Sequence, residues 1–244
     1  MAETIPFIVA ANDPGLTSEV VQFPGKAGNV RAYLSRPKDG KNSGTVIVIH
    51  ENRGLVDHIQ DVARRFAKDG FATLAVDLLS RSGGTDQYKT PEEGIAAIGK
   101  LTKDGVEEDL HSAVAYLKKQ SFFNGKIGVV GYCWGGGESW NFATKCKELI
   151  AAVIYYGRDP DPLDSVQTIP CPVLGNYGED DPNIMPGVEP LKAALTKHGK
   201  SVDIKVYPGA KHAFNNNTNA DRYHPEAAKD AWARTVSFFK KNLA

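Results

Sequence analysis

The sequence predicts an α/β fold with a mostly parallel central sheet flanked by helices on both faces. Three features point to it. Short β-branched runs such as Thr45-Val-Ile-Val-Ile-His50 are apolar at successive positions rather than alternate ones, the pattern of strands buried on both faces. These runs alternate with amphipathic stretches of helical length, as strand-helix-strand units require. The chain has 244 residues, 41% of them hydrophobic and 24% charged, which suffices for a sizeable core in one domain spanning 1–244.

In chain order, residues 1–17 read as an N-terminal extension. Residues 20–23 and 30–34, joined through Gly25 and Gly28, read as a hairpin at the sheet edge. Residues 45–50 form the first buried strand, and 57–68 an amphipathic helix stopped by Gly70. Residues 71–76 form the next strand. The stretch 81–105 carries Gly83, Gly84 and Pro91 before a short helical pattern over 92–101, and reads as a loose partial lid beside a cleft. A helix over 104–120, a strand over 126–132 and a helix over 134–146 follow. Strands are expected over 150–156, 173–177 and 202–207, with an acidic turn over 178–182 and a loop over 208–214. A long helix over 225–243 closes the chain.

The most telling motif is Gly131-Tyr132-Cys133-Trp134-Gly135, the G-x-S-x-G nucleophile elbow with cysteine in place of serine. A strand precedes it and a helix follows, so Cys133 is the candidate nucleophile of an α/β-hydrolase fold. In that fold the acid and then the histidine come later in the chain. Asp181 and His212 fall in that order, each just past a strand end, where open α/β sheets place reacting groups. A thiol needs a base or positive field to become a thiolate, which His212 would supply, and an acid on the far imidazole nitrogen would fix its tautomer. Glu179, Asp180 and Asp181 compete for that role; Asp181 is preferred because Pro182 favours an extended or turn conformation before it. Oxyanion donors are expected from the amide of Trp134 and, in the loop after residues 45–50, the amide of Asn52. His50-Glu51 begins the zinc pattern H-E-x-x-H, but Gly54 stands where the second histidine is needed, so no metal is implied. No cofactor motif occurs either.

These residues resemble the dienelactone hydrolase family of α/β-hydrolases: the elbow Gly131-Tyr-Cys133-Trp-Gly-Gly136, the later Asp181, and His212-Ala-Phe214. His50-Glu51-Asn-Arg-Gly-Leu55 matches the family's glutamate after the third strand, and Asp77-Leu-Leu-Ser-Arg81 extends the likeness. The resemblance implies hydrolysis of small ester or lactone substrates through a thioester acyl-enzyme. It implies that Glu51 holds the resting thiol until substrate displaces it. It implies two arginines for a substrate carboxylate: Arg81 matches the first, whereas Asn215-Asn216 stand where the second would fall, leaving Arg53 and Arg158 on neighbouring loops to contribute charge. A rival reading is a redox-responsive or non-catalytic hydrolase-fold protein with Cys133 as a reactive thiol.

Lysine plus arginine and aspartate plus glutamate number 29 each, so charge gives no case for nucleic acid or an anionic membrane as partner. No apolar run is long enough to span a bilayer. Three cysteines cannot all pair; Cys146 and Cys171 read as packing residues, and a reduced Cys133 suits the cytoplasm, as does an N-terminus without the charge pattern of a signal peptide. The expected partner is a small molecule, and the expected state a monomer or small homo-oligomer.

Overall fold

The computed structural model describes residues 8–40 and 44–244. Its strands are β1 (Leu16–Gly25), β2 (Gly28–Pro37), β3 (Thr45–Ile49), β4 (Ala72–Val76), β5 (Ile127–Tyr132), β6 (Leu149–Tyr155), β7 (Val173–Asp180) and β8 (Val202–Lys211). They form one eight-stranded sheet in the order β1-β2-β4-β3-β5-β6-β7-β8. The β1-β2 hairpin and the β2-β4 pairing are antiparallel, and every later pairing is parallel. Every residue of β3, β4 and β5 is buried, which explains their unbroken apolar runs.

The helices are α1 (Asp57–Lys68), α2 (Pro91–Ile98), α3 (Lys103–Leu117), α4 (Trp134–Lys145), α5 (Met185–Lys197) and α6 (Pro225–Leu243). Leu110, Val114, Trp140 and Leu191 place α3, α4 and α5 in one core layer. Ile59, Val62, Phe66, Ala231 and Phe239 place α1 and α6 in the other. The sheet is therefore an α/β-hydrolase sheet covered on both faces, with the ends of β3, β5, β7 and β8 meeting at one edge.

Three expectations need correction. Of the supposed extension 1–17, residues 1–7 lie outside the described residues, but Val9 is clamped onto α1. Its amide donates to Asp61 Oδ1 at 2.8 Å and its carbonyl accepts from Arg64 Nε at 2.8 Å, while Leu16 already belongs to β1. The stretch 81–105 borders the cleft through Ile95, Ile98 and Lys103 as expected, but it is more regular than a loose loop: Thr90 and Glu93 form a reciprocal capping box and Pro91 opens α2. Finally, β7 and β8 run on to Asp180 and Lys211 and pair there, so Glu179 and Asp180 belong to a strand rather than a turn.

Candidate active site

Cys133 sits at the sharp turn between β5 and α4 with φ +56° and ψ −118°, a conformation an L-residue holds only under constraint. The constraint is visible. The Cys133 amide donates to Tyr155 O at 3.1 Å, and its carbonyl accepts from the amides of Gly136 and Gly137 at 2.9 and 3.2 Å. The turn is so tight that a Cβ on Gly131 would lie 1.9 Å from the Gly135 carbonyl oxygen.

The ends of β7 and β8 bring two further groups to this thiol. His212 Nε2 lies 2.9 Å from Cys133 Sγ, and His212 Nδ1 lies 2.5 Å from Asp181 Oδ2. Asp181 is buried, whereas Glu179 and Asp180 are exposed. Glu179 instead accepts from the Gly209 amide at 3.3 Å. Burial pulls the His212 pKa down, but the hydrogen bonds and charges of Asp181 and Cys133 together outweigh it and raise the value to about 10. The arrangement favours an imidazolium beside the sulfur.

Glu51 is buried behind this pair. Its Oε2 accepts from Asn216 Nδ2 at 2.7 Å and its Oε1 from the Tyr156 hydroxyl at 3.5 Å. The Asn216 amide is oriented by its own oxygen, which accepts from the Thr218 amide and hydroxyl at 3.0 and 2.7 Å. Burial pushes the Glu51 carboxyl up, against the Asn216 hydrogen bond and the charges of His212 and Arg53. The thiol is thus paired with His212 and not with Glu51, a correction to the expected resting contact: the Asn216 amide occupies Oε2, and the sulfur is turned to the imidazole. Sequence reading missed Tyr156 and the Asn216 contact, since neither carries a motif.

Asn52, Cys133, Trp134 and His212 share the lining of a cleft of about 670 Å³. The backbone amides of Asn52 and Trp134 donate to no other group among the described residues; as the first residue of its helix, Trp134 has no intrahelical acceptor. Both amides are therefore available to a developing oxyanion.

The pattern of the Dienelactone hydrolase family matches residues 30–243. The chain belongs to the dienelactone hydrolase family. A carboxymethylenebutenolidase-like protein of Saccharolobus solfataricus is 33% identical over 254 residues, covering 90% of this chain and 96% of that protein. One of Methylorubrum extorquens is 32% identical, covering 96% and 84%. The crystal structure of a dienelactone hydrolase-like protein of Klebsiella pneumoniae superimposes with a TM-score of 0.85 at 32% identity, covering 92% of this chain and 98% of that one.

Within this dienelactone hydrolase fold the expected carboxylate-binding arginines lie outside the cleft. Arg81 is held by Asp109 through Nε and Nη2, both at 2.9 Å, and by Glu108 at 2.9 Å. It faces a separate cavity between α2 and α3. Arg53 is exposed on a groove with Asp57 and His58, also away from Cys133. The reason is local: Asp109 on α3 offers a bidentate carboxylate that solvent cannot match. Arg158 and Arg222 do line the Cys133 cleft, both exposed and without an ion pair among the described residues. Nothing in the sequence singled out Arg222. Cys146 and Cys171 are buried in the core, where burial raises both thiols, Cys171 to about 12. Neither is placed to resolve an oxidised Cys133.

Proposed function

We propose that this chain is a cysteine-dependent hydrolase of small esters or lactones that works through a thioester acyl-enzyme on Cys133. The observation that carries the reading is the relay Cys133 Sγ to His212 Nε2 at 2.9 Å, with Asp181 on His212 Nδ1 at 2.5 Å, at the end of a strained elbow. In the first half-reaction the Cys133 thiolate attacks the carbonyl carbon, and the oxyanion is held by the Asn52 and Trp134 amides. The C–S bond forms, the C–O bond breaks, and His212 gives its proton to the leaving alkoxide. With a lactone that alkoxide stays tethered, and the ring opens. In the second half-reaction His212 takes a proton from water, hydroxide attacks the thioester, and the thiolate departs beside the renewed imidazolium. Asp181 keeps the imidazole oriented and stabilises its charge throughout. A free thiol of this kind is best preserved in a reducing compartment such as the cytoplasm.

Turnover of p-nitrophenyl acetate and small lactones by the wild-type chain and Cys133→Ala tests the reading. The variant is expected to lose turnover by a factor approaching about 10⁶ with its melting temperature retained. Hydrolysis that persists in Cys133→Ala overturns it.

A further inference from the structure

We propose that Asp77 and Thr85, which lie outside the cleft, are positioning residues for the oxyanion site, acting through the loop that carries Glu51 and Asn52. The inference rests on the reading of the Asn52 amide as an oxyanion donor.

The segment following β4 grips this loop at both ends. At the far end the Leu55 amide donates to Thr85 Oγ1 at 2.8 Å, and that hydroxyl donates onward to Asp77 Oδ1 at 2.7 Å. The Thr85 amide binds the other carboxylate oxygen, Oδ2, at 2.9 Å, and the Leu79 amide reaches Oδ1 at 3.2 Å. Asp77 is fully buried, so both of its oxygens are committed and neither has water as an alternative. At the near end the Leu78 amide donates to His50 Nε2 at 3.2 Å. The ring proton is therefore on Nδ1, which donates to the Glu51 carbonyl at 2.7 Å. Only a neutral imidazole can make both bonds, and burial lowers the His50 pKa despite the nearby charge of Asp77.

Asn52 hangs between these two anchors. The spacing leaves no slack: Gly54 adopts φ +84°, and a Cβ there would lie 2.2 Å from Thr85 Oγ1. The His50 ring also stacks on Trp134 with centroids 5.4 Å apart, tying the loop to the residue that supplies the other oxyanion amide. A simple packing role would be met by apolar side chains in the same space. Two polar chains that both end on the backbone of one short loop instead fix the direction of its amides, which is what preorganised stabilisation of charge requires.

The experiment compares wild type, Thr85→Val, which keeps the shape and loses the hydroxyl, and Thr85→Ser, which keeps the hydroxyl. Two reactions at Cys133 are measured alongside the melting temperature: turnover of p-nitrophenyl acetate and alkylation by iodoacetamide. Alkylation forms a C–S bond and expels iodide without developing an oxyanion. Thr85→Val is expected to lower kcat roughly tenfold with KM and alkylation rate changed by less than about twofold, a smaller loss than the ~10²–10³ of deleting a donor. Thr85→Ser is expected to restore kcat. If Thr85→Val does not fold, Thr85→Ala is read in the same way. Equal losses in kcat and alkylation, or unchanged kcat, overturn the inference. A wild-type chain that is alkylated at Cys133 yet turns over no ester or lactone overturns the hydrolase reading itself, and this inference with it.

Discussion

The charge on Glu51 and the charge on His212 are linked, because each lies in the field of the other. His212 holds the Glu51 carboxyl down against its burial, so an ionised Glu51 must hold the imidazolium up by the same free energy. The folded His212 value of about 10 lies above its ordinary 6.5. Its imidazolium therefore contributes stability that is complete below pH 6.5 and is lost as pH rises through about 10. Glu51→Gln preserves the shape and removes the charge. The expected outcome is a downward shift of the imidazolium's alkaline limit, smaller than loss of the Asp181 carboxylate would give, read from the His212 ring resonances. An unchanged or higher limit would show that Glu51 is neutral throughout that range. Which acid orients His212 was only partly legible in the sequence. Pro182 favoured Asp181, but what separates it from Asp180 is the extension of β7, which holds Asp180 in a strand opposite Lys211.

At the scale of elements, the buried strands were legible because burial on both faces writes itself into unbroken apolar runs. The elbow was legible because only glycine fits at positions 131 and 135 on either side of Cys133. Helix α5 was not: Gly187 and Pro190 break its propensity inside the helix, and its stability comes from Val188, Leu191 and Leu195 packing into the core. A second feature of the elements concerns acid. His58, in the first turn of α1, is buried, and burial together with the charge of Arg65 lowers its pKa to about 4 against the opposing effect of the Asn217 side chain. Between pH 6.5 and 4 the unfolded chain gains a proton that the folded chain refuses, so stability falls as pH falls through that window. The loss attributable to His58 is up to about 3 kcal/mol. In urea unfolding at pH 7 and pH 4.5, His58→Leu is expected to narrow the wild-type gap between the two midpoints. A gap of the same width in the variant would place the acid sensitivity elsewhere.

For the molecule as a whole the net formal charge is zero, so the expected substrate preference rests on the charges that line the cleft. Of the two positions where the family likeness called for carboxylate-binding arginines, one holds Arg81, locked onto Asp109 and Glu108 outside the cleft, and the other holds Asn216, bound to Glu51. Arg158 and Arg222 remain in the cleft, but Asp159, Asp161 and Glu138 line it too, and Asp161 already engages Lys103 at 3.2 Å. Lys103 lies in the same lining, its charge answered by Asp161, and Ile95, Ile98, Trp134 and Ile184 form the apolar part of the wall. A substrate carboxylate entering this space gives up hydration beside carboxylates and apolar groups, and exposed guanidiniums return little of it. We expect neutral short-chain esters or lactones to be preferred over carboxylated analogues of matched size by about tenfold in kcat/KM, or roughly 1.4 kcal/mol. Arg81→Ala should lower the melting temperature by freeing the buried Asp109 carboxylate, yet leave the ratio of the two specificity constants unchanged. Arg158→Ala with Arg222→Ala should weaken the anionic substrate alone. A strong preference for the anion that survives Arg81→Ala would mean that Arg158 and Arg222 outweigh the cleft carboxylates, and a ratio that collapses when Arg81 is removed would mean that Arg81 leaves Asp109 to meet the substrate.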